Sequence, residues 1–308
     1  MKEILERLVA EGRASAREGR VADYIPALAR ADSGAVGAAV TLVDGRTWEA
    51  GESRAKFSLQ SVSKALALTY VIDARGEDEV FSRVGKEPTG DPFNSIIRLE
   101  ASSLKKPYNP MINAGAIVVS SLMPGATGAE RAAGFREYAA TVLGCGELAY
   151  DEEVYRSESA TANKNRSIAW FLKELGLIEG GVDEALDGYF LQCSTLVDAR
   201  ALARFGACLA LDGLAPGSAA AGERLMSVRA ARVTKGLMAS CGLYDGSGAF
   251  SVEAGIAAKS GVGGGIVATA RARLGIGTYG PALDARGNSA AGLHIIKALS
   301  KELELFAL

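Results

Sequence analysis

The chain opens on an amphipathic pattern, with Ile4, Leu5 and Leu8 spaced for one side of a helix and Glu3, Glu6 and Arg7 between them. Residues 35–57 switch to a period of two. Val36, Ala38, Val40 and Leu42 alternate, Asp44-Gly45 supplies a hairpin turn, and the run from Thr47 to Phe57 reads as the returning strand. From Ser61 to about Gly222 the pattern is mainly helical, with Gly76, Gly144, Gly176 and Gly206 expected near helix ends. Residues 248–280 are glycine-rich and carry Val and Ile, which predicts three strands with tight turns. A last helix is expected from Ser289 or Ala291, with Leu293, Ile296 and Leu299 inward.

The predicted order is helix, two strands, a long helical insert, three strands, helix. Hairpin-linked strands favour antiparallel pairing. The early pair and the late trio would then complete one five-stranded sheet flanked by helices, an α+β fold. Its α/β lobe would span about 1–60 and 230–308, and a mainly helical lobe about 61–229. A cleft between such lobes is a usual place for an active site.

Composition narrows the function. With 48% hydrophobic and 23% charged residues among 308, the chain reads as a globular protein with ample core. Acids and bases are mixed and the net charge is -2, so no electrostatic case exists for nucleic acid or an anionic membrane. No run of about 20 apolar residues is present, and the acidic start lacks the apolar core of an export signal. The four cysteines (Cys145, Cys193, Cys208, Cys241) are dispersed without a CxxC pair. That favours reduced thiols in the cytoplasm and argues against structural zinc; neither metal nor cofactor is expected.

The only histidine, His294, sits in the closing helix and reads as a packed or surface residue, which removes a Ser-His-Asp hydrolase. A different base is available at Ser61-Val62-Ser63-Lys64, where an apolar helix begins. Residues three apart on a helix share a face. A lysine buried near a helix N-terminus is pushed toward its neutral form and can take a hydroxyl proton. Alone, Ser-x-x-Lys is short, and a lysine snorkelling from a helix end explains it equally. A second string, Lys259-Ser260-Gly261, is close to the Lys-Thr-Gly that accompanies Ser-x-x-Lys in serine β-lactamases and penicillin-binding proteins. Its bland alternative is a glycine-rich turn.

Longer strings carry a more specific likeness: YIPALA, FSLQSVSK, VGKEPTGDPFNS, NPMINAGAI, SESATANKNRSIAWFLKE, DGYFLQCS, SCGLYDGSGAF and AKSGVGGGI. On these the chain resembles the glutaminase family of the serine β-lactamase/transpeptidase-like superfamily, over nearly its full length and without the ankyrin repeats of larger relatives. The resemblance implies Ser61 as nucleophile and Lys64 as base, and hydrolysis of the side-chain amide of L-glutamine. It implies substrate contacts at Tyr24, Ser61, Asn113, Glu158, Asn165, Tyr189, Tyr244 and Val262, with Tyr244 also catalytic, and a homodimer or homotetramer. The residue types suit a free amino acid. Glu158 can pair with an ammonium, and the Asn and Tyr side chains can donate to a carboxylate. Each also has a structural use as cap, solvated charge or core aromatic. Two other readings share the same strings: a β-lactamase or penicillin-binding-type acyl transferase, and a non-catalytic glutamine- or glutamate-binding protein.

Overall fold

The computed structural model describes residues 1–89, 105–218 and 221–306. Helix α1 (Lys2–Ala16) buries Leu5, Leu8, Val9, Gly12 and Ala16, and leaves Ile4 half-buried at the edge of that stripe. β1 (Gly37–Leu42) and β2 (Thr47–Gly51) form the hairpin, turning at Gly45 with φ +90°. The returning strand stops earlier than its pattern suggests. Phe57 and Ser58 belong to a separate short strand, β3, and a 3-10 turn at Gln60–Val62 leads into α2 (Ser63–Arg75).

The helical insert follows as α3 (Glu77–Arg83), α4 (Asn113–Ser121), α5 (Gly128–Leu143), α6 (Glu152–Thr161), α7 (Asn163–Glu174) and α8 (Val182–Cys193). β4 (Leu196–Val197) pairs antiparallel with β3, so the insert is tied back to the start of α2. After α9 (Ala199–Ala210) and α10 (Val228–Cys241), residues 247–254 form a helix, α11 (Ser247–Ala254), where the sequence pattern suggested a strand. Small residues permit either conformation there; Gly255, left-handed at φ +62°, ends the helix. The strands proper are β5 (Ala257–Ser260), β6 (Gly265–Ala270) and β7 (Leu274–Tyr279). α12 (Ala290–Glu302) closes the described chain, capped by the Ser289 hydroxyl; it buries Ile295, Ile296 and Leu299, with Leu293 half-buried. Among the described residues, no helix is long and apolar enough to cross a membrane.

Strands from both ends of the chain make one antiparallel sheet in the order β2-β1-β7-β6-β5, and the fold is α+β. Alternation along each strand assigns the two faces. Ala38, Val40, Ile266 and Ile276 face a core shared with α1 and α12. Ala39 and Val267 face the opposite core, with α9. This explains why Ala39, between the apolar positions of the period-two pattern, is buried as fully as its neighbours.

α9 reaches the sheet because both surfaces lack side chains. A Cβ on Gly275 would come within 2.1 Å of the Ala207 nitrogen, and one on Gly277 within 2.0 Å of the Ala199 carbonyl oxygen. Gly206 is therefore inside the helix and not at its end. Its own Cβ would meet the Ala268 carbonyl oxygen at 2.3 Å. Backbone contacts this close cannot relax by rotating a side chain. Gly277→Ala should cost about 3 kcal/mol, read as a lower urea midpoint; an unchanged midpoint would contradict the contact.

Candidate active site

β3 and β4 aim the chain at the site. Phe57 pairs with Val197 and Ser58 with Leu196, and the Leu59 N–H donates to the Thr195 carbonyl at 2.9 Å. Gln60 then turns left-handed, at φ +46°. A non-glycine residue held there carries about 1–3 kcal/mol of strain. Ser61 follows in the 3-10 turn, two residues before the α-helix proper, and is buried.

Lys64, in the first turn of α2, is among the largest fully buried side chains of the protein. Its Nζ donates to Asn113 Oδ1 at 2.7 Å and to the Met111 carbonyl at 3.3 Å. Burial pushes its pKa down to about 8. The two acceptors are themselves fixed. Asn109 Oδ1 accepts from the Met111 and Ile112 amides at 2.9 and 3.2 Å, which sets the turn into α4. Asn113 Nδ2 donates to Asn165 Oδ1 at 3.0 Å, and the Tyr189 hydroxyl lies 3.4 Å from Asn113 Oδ1. A neutral amine has two N–H bonds and one lone pair. Both N–H bonds have acceptors here, so the lone pair is the feature left over.

Seven of the residues singled out in the sequence, Tyr24, Ser61, Asn113, Glu158, Asn165, Tyr189 and Val262, line one cavity of about 180 Å³. Tyr24 is half exposed at its mouth (53%). Glu158, in the last turn of α6, is enclosed. Burial pushes its pKa up to about 7, opposed by a hydrogen bond from Gln60 and the charge of Lys64. Its Oε2 has no hydrogen-bond partner among the described residues. Lys64 and Tyr244 stand behind the wall rather than on it.

Tyr244 is also left-handed, at φ +56°. Burial pushes its phenol up to about 12, with the neighbouring hydroxyls of Ser61 and Ser260 opposing. The Lys259 Nζ lies 4.9 Å from its ring centroid and donates to the carbonyls of Gly242 and Ser260 at 3.1 and 2.6 Å. Burial drives Lys259 well below its ordinary value. Gly261 brings the end of β5 against the turn that carries Ser61. A Cβ there would sit 3.0 Å from the Ser61 nitrogen and 2.7 Å from the Leu59 carbonyl oxygen.

Gln60, Ile25, Thr161 and Lys164 also line the cavity and were not singled out. All four lie within the quoted family strings, and Gln60, Ile25 and Lys164 adjoin residues that were singled out. His294 pairs with Glu11 at 3.2 Å on the surface and is not part of the lining. Larger cavities of about 430 and 680 Å³ lie among α5–α8 and along α12; the buried Ser300 hydroxyl on the second donates to the Ala254 carbonyl. No group of three or more potential metal ligands occurs among the described residues. The string VGKEPTGDPFNS runs beyond Thr89 and so lies partly outside them.

Comparison with known proteins gives these features a context. The glutaminase family profile matches residues 19–307. The chain belongs to the glutaminase family. It is 48% identical to Glutaminase 2 of Clostridium perfringens (strain 13 / Type A) over 305 residues, covering 99% of each chain. Identity to the glutaminase of Geobacillus thermodenitrificans is 47%, over 99% of this chain and 97% of the relative. A crystal structure of a Bacillus glutaminase in 4.3 M NaCl superposes with a TM-score of 0.90 at 37% identity, covering 99% and 98% of the two chains. The covalent complex of Bacillus subtilis glutaminase YbgJ with 5-oxo-L-norleucine superposes equally well, at 0.90, with 35% identity over 100% and 99%.

In this glutaminase-family site the buried carboxyl works against stability. A folded-state pKa above the unfolded value means that the contribution of Glu158 is fully present below the unfolded carboxylate range and is lost as pH rises through about 7. Glu158→Gln should therefore raise Tm at about pH 8.5 and leave it nearly unchanged at about pH 4. Equal Tm differences at both pH values would contradict the buried charge.

Proposed function

We propose that the chain hydrolyses the side-chain amide of L-glutamine to L-glutamate and ammonia through an acyl-enzyme on Ser61. The observation that carries this reading is the enclosed Lys64 amine, one helical turn beyond a serine that lines a small polar cavity. Ser61 Oγ attacks the amide carbon as its proton passes to the Lys64 lone pair. The Ser61 and Val262 amides, brought together by the close approach at Gly261, hold the oxyanion. Ammonia departs with a proton from Lys64 or Tyr244, and water, activated by one of the same two groups, cleaves the ester. Glu158 pairs with the substrate ammonium. Tyr24, Asn113, Asn165 and Tyr189 serve its carboxylate and amide, while Tyr244, behind the wall beside the Ser61 hydroxyl, meets the substrate only at the reacting amide.

The cavity, about 180 Å³, is smaller than the ~300–1,000 Å³ usual for drug-sized ligands, which favours a free amino acid over a bulky β-lactam or peptide. We read the architecture as β-lactamase/transpeptidase-like, with Ser-x-x-Lys opening α2 and Lys-Ser-Gly closing β5. In that reading the lobe of about 61–229 sends α9 back onto the sheet. The four cysteines are unpaired, as suits a cytoplasmic protein. Family likeness carries the expectation of a homodimer or homotetramer.

Ser61→Ala should abolish ammonia release from glutamine while leaving the circular dichroism spectrum and Tm in place. More than a few per cent residual activity would remove Ser61 from its role. Only ionised Glu158 attracts an ammonium, and only uncharged Lys64 accepts a proton. kcat/KM should thus rise as pH climbs through about 7 and about 8. A profile that falls over that range would contradict the assignment.

A further inference from the structure

The string DGYFLQCS does more than place Tyr189 in the cavity. Gln192, near the end of α8, and Ser63, at the start of α2, are both fully enclosed, and neither lines the site. Ser63 Oγ donates to the Gln60 carbonyl at 2.7 Å. A hydroxyl has one proton, so its next partner must be a donor. That donor is Gln192 Nε2, at 2.9 Å. Four residues downstream, Leu196 pairs with Ser58, and the Thr195 carbonyl takes the Leu59 N–H at 2.9 Å. Residues 192–196 thus grip both sides of the one left-handed residue that precedes Ser61.

We propose that Gln192 is a positioning residue: through the Ser63 hydroxyl it holds Gln60 left-handed, and so sets the direction in which Ser61 faces the cavity. The proposal rests on Ser61 being the nucleophile. Without the Gln192 amide, the Ser63 hydroxyl is no longer oriented toward the Gln60 carbonyl. The turn then loses the contact that offsets its strain. A relaxed turn displaces Ser61 from both Lys64 and the Val262 amide.

Gln192→Met keeps the side-chain length and removes the amide. It should lower kcat on the order of tenfold to a hundredfold with little change in KM. Labelling of Ser61 by 6-diazo-5-oxo-L-norleucine, followed by mass spectrometry, should slow in parallel. Glycine adopts positive φ without strain, so the brace is redundant in a Gln60→Gly background. There, Gln192→Met should change the labelling rate by less than about twofold. Equal slowing in both backgrounds would mean that Gln192 acts through packing, and overturns the proposal. Hydrogen exchange across residues 57–63 gives a measure independent of reactivity. It should rise in Gln192→Met and not rise further when the same change is added to Gln60→Gly. Unchanged exchange in the single variant also overturns the proposal. Wild-type label found on a residue other than Ser61 would sink the nucleophile assignment instead.

Discussion

A primary amine enclosed by protein is the constraint around which this site is built. Bringing an ammonium out of water costs several kcal/mol, and burial lowers the Lys64 pKa to about 8, above which the side chain escapes most of that cost by shedding its proton. The apolar surface of α2 provides the enclosure. The Met111 carbonyl and Asn113 Oδ1 then take the two N–H bonds that remain. Asn109, Asn165 and Tyr189 are arranged behind these acceptors and keep them still. Much of the polar network is thus explained as orienting a single nitrogen, in a chain whose one histidine lies at the surface.

Rigidity around Ser61 comes from three distant stretches that meet with little room to spare. Residues 57–64 supply the serine and the lysine, 109–113 the acceptors, and 242–262 the phenol and the opposing amide. Two of the six described non-glycine residues with positive φ, Gln60 and Tyr244, stand on either side of the Ser61 hydroxyl. Such conformations persist only where surrounding contacts over-determine them. Here those contacts are the Lys259 and Ser260 bonds to the Gly242 carbonyl on one side and the β3–β4 pair on the other.

Features that depend on local periodicity were legible in the sequence. Alternation in 36–42 and the Asp44-Gly45 turn gave the hairpin, and the two separated strand sets gave the single sheet. Glycines misled where their reason was tertiary. Gly206 looks like a helix end, yet it is empty space for the backbone of β6 and β7. The stretch 247–254 carries no strong period, so its helical state is decided by packing. At the site, Ser61 and Lys64 could be argued from spacing and burial. Glu158, Asn165 and Tyr189 could not, because nothing local distinguishes a ligand contact from a cap or a core aromatic; only the longer family strings pointed to them. Gln192 was invisible, since its partner lies 129 residues away.

The arrangement of the sheet bears on how the protein is made. β1 pairs with β7, and the amide facing Ser61 lies in the turn between β5 and β6. Pairings so distant along the chain form late and slowly. A nascent polypeptide that has emerged from the ribosome as far as α9 already carries the hydroxyl and the lysine, but has neither the opposing amide nor the phenol. Hydrolytic competence therefore arrives only after the segment from Tyr244 to β6 has been made and has joined the sheet.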